Sequence, residues 1–172
     1  MQTVDVRRAT LDDAEALALV AAASFLETFA GVLDGRAIAE HCKRAHSPTA
    51  YAEWLANPDA ALWLAEAQIG RAPVGYALLA PPDLAAATPG DLELKRIYLL
   101  GRAQGSGVGR MLMEATIAEA RRRSASRLLL GVYAGNTSAI AFYQKSGFQQ
   151  VGDRRFSVGG ELYDDFVFAL DL

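Results

Sequence analysis

The stretch GRAQGSGVGR, residues 101–110, places Gly105, Gly107 and Gly109 between LELKRIYLL (92–100), which alternates like a strand, and MLMEATIAEARRR (111–123), which has helical spacing. The first turn of a helix carries amides with no intrahelical acceptor and lies at the positive end of the helix dipole, so bare backbone there suits an anion. A P-loop needs G-x-x-x-x-G-K-[ST], and no Lys-Ser or Lys-Thr follows these glycines. A dinucleotide fingerprint needs G-x-G-x-x-G; counted from Gly105 and Gly107, its third glycine falls on Arg110, and no early β-α-β unit precedes it. For the turn alone, two readings remain: an anion cradle, or an ordinary glycine-rich connection from strand to helix.

Working outward, TVDVRRA (3–9) alternates like a first strand, and a long helix follows over 10–30 with Thr10 and Asp13 at capping-box spacing. Shorter helices are predicted at 34–45 and 49–57, then strands ALWLAEA (61–67) and PVGYALLA (73–80), then a loop over 81–91. Beyond the glycine turn come a helix over 107–123, the strand RLLLGVY (127–133), a short helix in NTSAIAFYQKSG closed by Gly147, and two closing strands at 148–158 and 162–172. The order β-α-α-α-β-β-β-α-β-α-β-β predicts an α/β fold, a mixed sheet with helices on both faces.

The 172 residues are 52% hydrophobic and 22% charged, which suits one domain, 1–172, with a sizeable core. A net charge of −3 offers no basic footprint for nucleic acid or anionic lipid and mildly favours a cationic substrate. The single cysteine, Cys42, excludes an internal disulfide and reads as a small buried hydrophobe. The polar start lacks a signal-peptide pattern, and the longest apolar run, ALALVAAASFL, is too short to span a bilayer; the expectation is a cytoplasmic protein with no membrane partner. His41 and His46 lack metal-ligand spacing, so no metal is expected, and Arg121–Arg123 suit the negative end of their helix.

Two blocks together resemble the GNAT superfamily of acyl-CoA-dependent N-acetyltransferases, nearly along the whole chain. The family's pyrophosphate signature, Gln or Arg, then x-x-Gly-x-Gly or Ala, is matched by Gln104, Gly107 and Gly109. Its N-x-x-A-I-x-F-Y-x-x-x-G-F segment is matched by Asn136, Ala139, Ile140, Phe142, Tyr143, Gly147 and Phe148. The resemblance implies a mostly antiparallel sheet splayed around acetyl-CoA as acetyl donor. It assigns the pantetheine arm to the backbone of Ile97, Tyr98 and Leu99 and to Asn136, which also reads as a helix N-cap. The pyrophosphate falls to the segment Gln104, Gly105, Gly107, Val108, Gly109 and Arg110.

The activity this implies is direct acetyl transfer to a primary amine through a tetrahedral intermediate. Tyr143 is the expected acid for the departing thiolate; on a helix it shares a face with Asn136 and Ile140. For the base, Glu93 lies eleven residues before Gln104, the spacing of the glutamate in the histone-acetylating branch. Glu93 is expected on the same strand face as Lys95, Ile97 and Leu99 unless a bulge intervenes; a solvated surface glutamate, with water carrying the proton, is the other reading. A looser resemblance to PaiA-type polyamine acetyltransferases rests on SFLETFAG (24–31), LELKRIYLL leading into QGSGVG, and DDFVFALDL (164–172). It implies a small amine or polyamine acceptor, with Glu27, Asp34, Glu40 and Glu53 as candidate carboxylates and Phe25 and Phe29 as core packing. A protein amine as acceptor, and a non-catalytic acyl-CoA-binding protein, stay open, as does a homodimer.

Overall fold

A computed structural model describes residues 3–172. The elements follow the expected order: β1 (Val4–Arg8), α1 (Ala14–Phe29), α2 (Gly35–Ala45), α3 (Pro48–Ala56), β2 (Ala61–Ala67), β3 (Pro73–Ala80), β4 (Leu92–Leu99), α4 (Val108–Arg122), β5 (Arg127–Tyr133), α5 (Thr137–Lys145), β6 (Gln149–Val158) and β7 (Glu161–Asp171). A short 3-10 turn, Leu11–Asp13, leads into α1, and the Asp13 carboxylate accepts the Thr10 amide at 2.7 Å, the pairing that the Thr10/Asp13 spacing suggested.

The strands form one sheet in the order β1-β2-β3-β4-β5-β7-β6, and β4–β5 is the parallel pair in it. Its two faces carry separate cores. Alternate residues such as Leu79, Leu94, Leu128, Leu130 and Phe168 meet Leu112 and Met113 of α4 and Tyr143 of α5. Leu62, Leu64, Tyr76 and Leu78 point the other way, onto Leu17, Val20 and Ala21 of α1 and Tyr51 of α3. This period-2 division is what a sheet covered on both faces requires, and it explains why β2 and β3 are apolar with little alternation.

One irregularity positions the site. Opposite β3, Leu79 pairs with Leu94 and Leu78 with Arg96, so Lys95 is an extra residue bulged out of β4. A bulge bends its strand and increases local twist. On the other edge, β4 pairs with β5 only at Leu92–Leu128 and Glu93–Leu129, and beyond Glu93 the strands part. The far edge of β4 from Leu94 to Leu99 and the facing edge of β5 are thus left without a ladder. Exposed backbone donors and acceptors of this kind must be met by water or by a ligand.

Candidate active site

The parted strands open a cleft of about 630 Å³ that runs from the glycine turn, between β4 and β5, to the end of α1. Ten of the twelve residues that the sequence assigns to acetyl-CoA or to catalysis line it: Ile97, Tyr98, Leu99, Gln104, Gly105, Gly107, Gly109, Arg110, Asn136 and Tyr143. Val108 does not; it opens α4 with its side chain buried against the sheet, leaving its amide as the part able to serve an anion. Glu93 does not line the cleft either.

At the turn, Gly105 and Gly107 have φ of 72° and 89°, left-handed values that carry a steric penalty for residues with a Cβ. Gly107 is the N-cap of α4, so the amides of Val108, Gly109 and Arg110 precede the first intrahelical bond and have no acceptor within the helix. Gly109 is glycine for another reason. A Cβ there would stand 3.3 Å from Leu99 Cδ1 and 3.7 Å from the Phe142 ring, so its bare Cα lets the start of α4 close on β4 and α5. Glu27, at the end of α1, accepts the Gly101 amide at 2.7 Å and ties the start of the turn in place.

Asn136 caps α5, its Oδ1 accepting the Ala139 amide at 3.1 Å, while the residue also borders the cleft. Two turns further along, Tyr143 is buried at 8% exposure, yet its hydroxyl has no hydrogen-bond partner among the described residues and is not sealed from the cleft. Burial raises its pKa, and the neighbouring Tyr98 adds to the shift, so the phenol stays protonated through the neutral range.

The Lys95 bulge changes which face Glu93 shares. It lies with Arg96 and Tyr98 on the α1/α3 side, while Leu94, Ile97 and Leu99 point to α4, so the shared parity with Ile97 and Leu99 fails. Nor is Glu93 solvated: at 3% exposure, its Oε2 accepts Lys95 Nζ at 2.7 Å and the Asp83 amide at 3.0 Å. Lys95 also reaches Asp83 at 2.9 Å.

The candidate polyamine carboxylates lie elsewhere. Glu27 holds Gly101, Asp34 caps α2 by accepting the Arg36 and Ala37 amides, and Glu40 and Glu53 are exposed; none borders the cleft. The two phenylalanines of α1 part company. Phe25 is buried in a cluster, stacked on His41 at 4.5 Å, while Phe29 lines the cleft and meets the Tyr133 ring at 6.3 Å.

The sequence reading missed several lining residues, among them Arg96, Gly131, Tyr133 and Phe142. Gly131 had a signal, a glycine inside a buried strand, which often marks close approach. Here the Arg154 guanidinium, paired with Asp165 at 3.1 Å, lies where a Cβ would be. Arg96 had none, since its direction depends on the bulge.

Comparison with known proteins agrees with this geometry. The profile of the acetyltransferase (GNAT) family matches residues 27–148. An uncharacterized N-acetyltransferase of Mycobacterium tuberculosis is 35% identical over 162 residues, covering 94% of this chain and 99% of that one. The crystal structure of PaiA N-acetyltransferase from Thermoplasma acidophilum in complex with coenzyme A superimposes with a TM-score of 0.81 at 21% identity, covering 99% of each chain. Ribosomal-protein-alanine N-acetyltransferase from Brucella melitensis gives 0.73 at 26% identity, over 98% of this chain and 99% of that one. With a glycine turn of free helix-start amides, an unladdered strand edge and a family match over most of its length, this chain belongs to the acetyltransferase (GNAT) family and is an acetyl-CoA-dependent N-acetyltransferase.

Proposed function

We propose that the protein transfers the acetyl group of acetyl-CoA to the primary amine of a small molecule, with Tyr143 as the acid. The observation that carries this reading is the Tyr143 hydroxyl: carried on a buried ring, without a hydrogen-bond partner among the described residues, and opening on the same cleft as the glycine turn. The amides of Val108, Gly109 and Arg110 hold the pyrophosphate, the dipole of α4 adding to the attraction. The free edge of Ile97–Leu99 receives the amide groups of the pantetheine arm as a strand would, and Asn136 borders it.

In the reaction, the neutral amine adds to the thioester carbonyl carbon, the new C–N bond forming as the carbonyl π electrons move to oxygen. When that tetrahedral centre collapses, the C–S bond breaks and the thiolate takes the Tyr143 proton. The tyrosinate is then reprotonated by the proton the nitrogen gives up, so the enzyme returns to its starting state. Glu93, whose Oε2 accepts both Lys95 and the Asp83 amide and which does not line the cleft, serves the architecture around the bulge, and water in the cleft removes the amine proton. The polyamine acceptor expected from the PaiA resemblance draws no support from the lining, which contains no carboxylate.

The test is release of free coenzyme A thiol from acetyl-CoA across a panel of polyamines, aminoglycosides, amino acids and short peptides. Turnover of any small amine well above background hydrolysis supports the proposal. A response confined to peptides, or none at all despite saturable acetyl-CoA binding, overturns it.

A further inference from the structure

The charges at the cleft are unlike those of the chain as a whole. Although the protein carries a net charge of −3, the charged residues lining the cleft are Lys95, Arg96 and Arg110, all cations. Two of them have carboxylate partners outside it: Lys95 is held by Glu93 and Asp83, and Arg110 pairs with Glu114 at 2.7 Å on the solvent side. Arg96 makes no ion pair among the described residues. One guanidinium nitrogen donates to the Ala45 carbonyl at 3.2 Å and to the Tyr51 hydroxyl at 3.0 Å. Nε and the second terminal nitrogen have no hydrogen-bond partner among the described residues and neither is sealed from solvent, and the residue lines the cleft. The groups that bear on it most, Tyr51, Tyr76, Tyr98 and His46, carry no negative charge at neutral pH, burial next to Arg96 depressing the His46 pKa to about 3, while the carboxylates of Glu93 and Asp165 on the same face are taken up by Lys95 and Arg154.

A guanidinium largely withdrawn from water without a carboxylate is costly unless something else meets it. The acetyl donor does not: its phosphates belong at the glycine turn, beyond the Ile97–Leu99 stretch that separates the two by ~10 Å of strand, and its pantetheine arm is uncharged. Arg96 also lies on the face opposite the α4 side, with Tyr51 and Tyr98, and the cleft that it lines is walled at its α1 end by Thr28 and Phe29. That end remains for the acceptor. Resting on the acetyl-transfer reading above, we propose that the acceptor is a small amine that also carries a carboxylate, and that Arg96 receives this carboxylate through its two unused nitrogens. The planar fork of a guanidinium suits a carboxylate in a bidentate arrangement and, by anchoring one end of the acceptor, presents the amine to the gap between β4 and β5.

The experiment compares amino acids with their decarboxylated amines, such as phenylalanine with phenethylamine and 4-aminobutyrate with propylamine, by kcat/KM in the thiol-release assay on the full-length enzyme. Carboxylated acceptors should be favoured by ~10- to 100-fold, the range expected for a charged hydrogen bond. Arg96→Met should abolish that preference by raising KM for the carboxylated member of each pair at least tenfold more than for the decarboxylated one; Arg96→Lys should keep part of it. Were Arg96 merely holding the α2–α3 connection, both members would fall together, and that result overturns the proposal. So does wild-type enzyme that favours the decarboxylated amines, a comparison that needs no variant to fold. A calorimetric titration of the enzyme–coenzyme A complex with N-acetylphenylalanine and N-acetylphenethylamine separates this proposal from the transferase reading. Tighter binding of the carboxylated product supports the anion site even if no amine in the panel turns over, and equal or weaker binding overturns it.

Discussion

Replacing Tyr143 by Phe removes one oxygen from the cleft and little else. The hydroxyl makes no hydrogen bond to the described protein, so no buried partner is left unsatisfied, while the ring keeps its packing against Phe142 at 5.6 Å and Phe148 at 6.0 Å. Stability should therefore change by less than about 1 kcal/mol, the scale of a single intramolecular hydrogen bond. Loss of a positioned general acid, in contrast, costs ~10²- to 10⁴-fold in rate, or ~3–5 kcal/mol of transition-state stabilisation. Because burial raises the Tyr143 pKa, the wild-type enzyme should also show no loss of kcat from phenol ionisation up to the ordinary tyrosine value of 10. The assay is steady-state thiol release with saturating acceptor, paired with a direct titration of acetyl-CoA binding and a thermal melt. The expected outcome is a kcat fall of at least a hundredfold with unchanged affinity and melting temperature. A kcat within threefold of wild type, or an affinity loss equal to the rate loss, would refute the assignment.

Other expectations follow from the same coordinates. His41 and His46, ordinarily near 6.5, are depressed to about 4 and about 3 by burial and by Arg96, so the unfolded chain takes up protons that the folded chain refuses. Stability is full above the unfolded value and falls as pH drops from 6.5 toward 4, with a slope approaching ~1.4 kcal/mol per pH unit per histidine. Denaturant melts across that window should show the slope, and His46→Asn should roughly halve it; a flat profile would sink the idea. Gly107→Ala, at φ 89°, should cost ~1–2 kcal/mol and weaken acetyl-CoA binding by re-aiming the helix-start amides. Gly109→Ala meets only side-chain ends at 3.3 Å and 3.7 Å and gains helix propensity, so its stability should stay within about 1 kcal/mol of wild type. Glu93→Gln should lower stability by ~3 kcal/mol through loss of a buried ion-pair partner while kcat stays within about tenfold; a loss of ~10²-fold or more at intact stability would restore Glu93 as the base.

Much of this protein was legible in its residues because the signals were local. The order of elements follows from hydrophobic periods and from turn and cap residues whose preferences act over a few positions, as Thr10 with Asp13, Asn136 and Gly147 illustrate. The glycine turn was readable because left-handed φ at Gly105 and Gly107 is a demand on single residues. Asn136 and Tyr143 keep their shared orientation by helix geometry alone, and both reach the cleft. What only the tertiary structure decided depends on strands far apart in sequence. Whether Glu93 joins Ile97 or Arg96 is set by one extra residue, Lys95, accommodated against β3, because inserting a residue into a period-2 strand inverts every later side chain. The width of the cleft is set by where β4 stops pairing with β5, thirty-six residues along the chain, as in Leu92 with Leu128. The end of the cleft proposed for the acceptor is where α1, β4 and β5 converge near the Arg96 guanidinium, which no carboxylate meets among the described residues, and no short stretch of sequence encodes the absence of a partner.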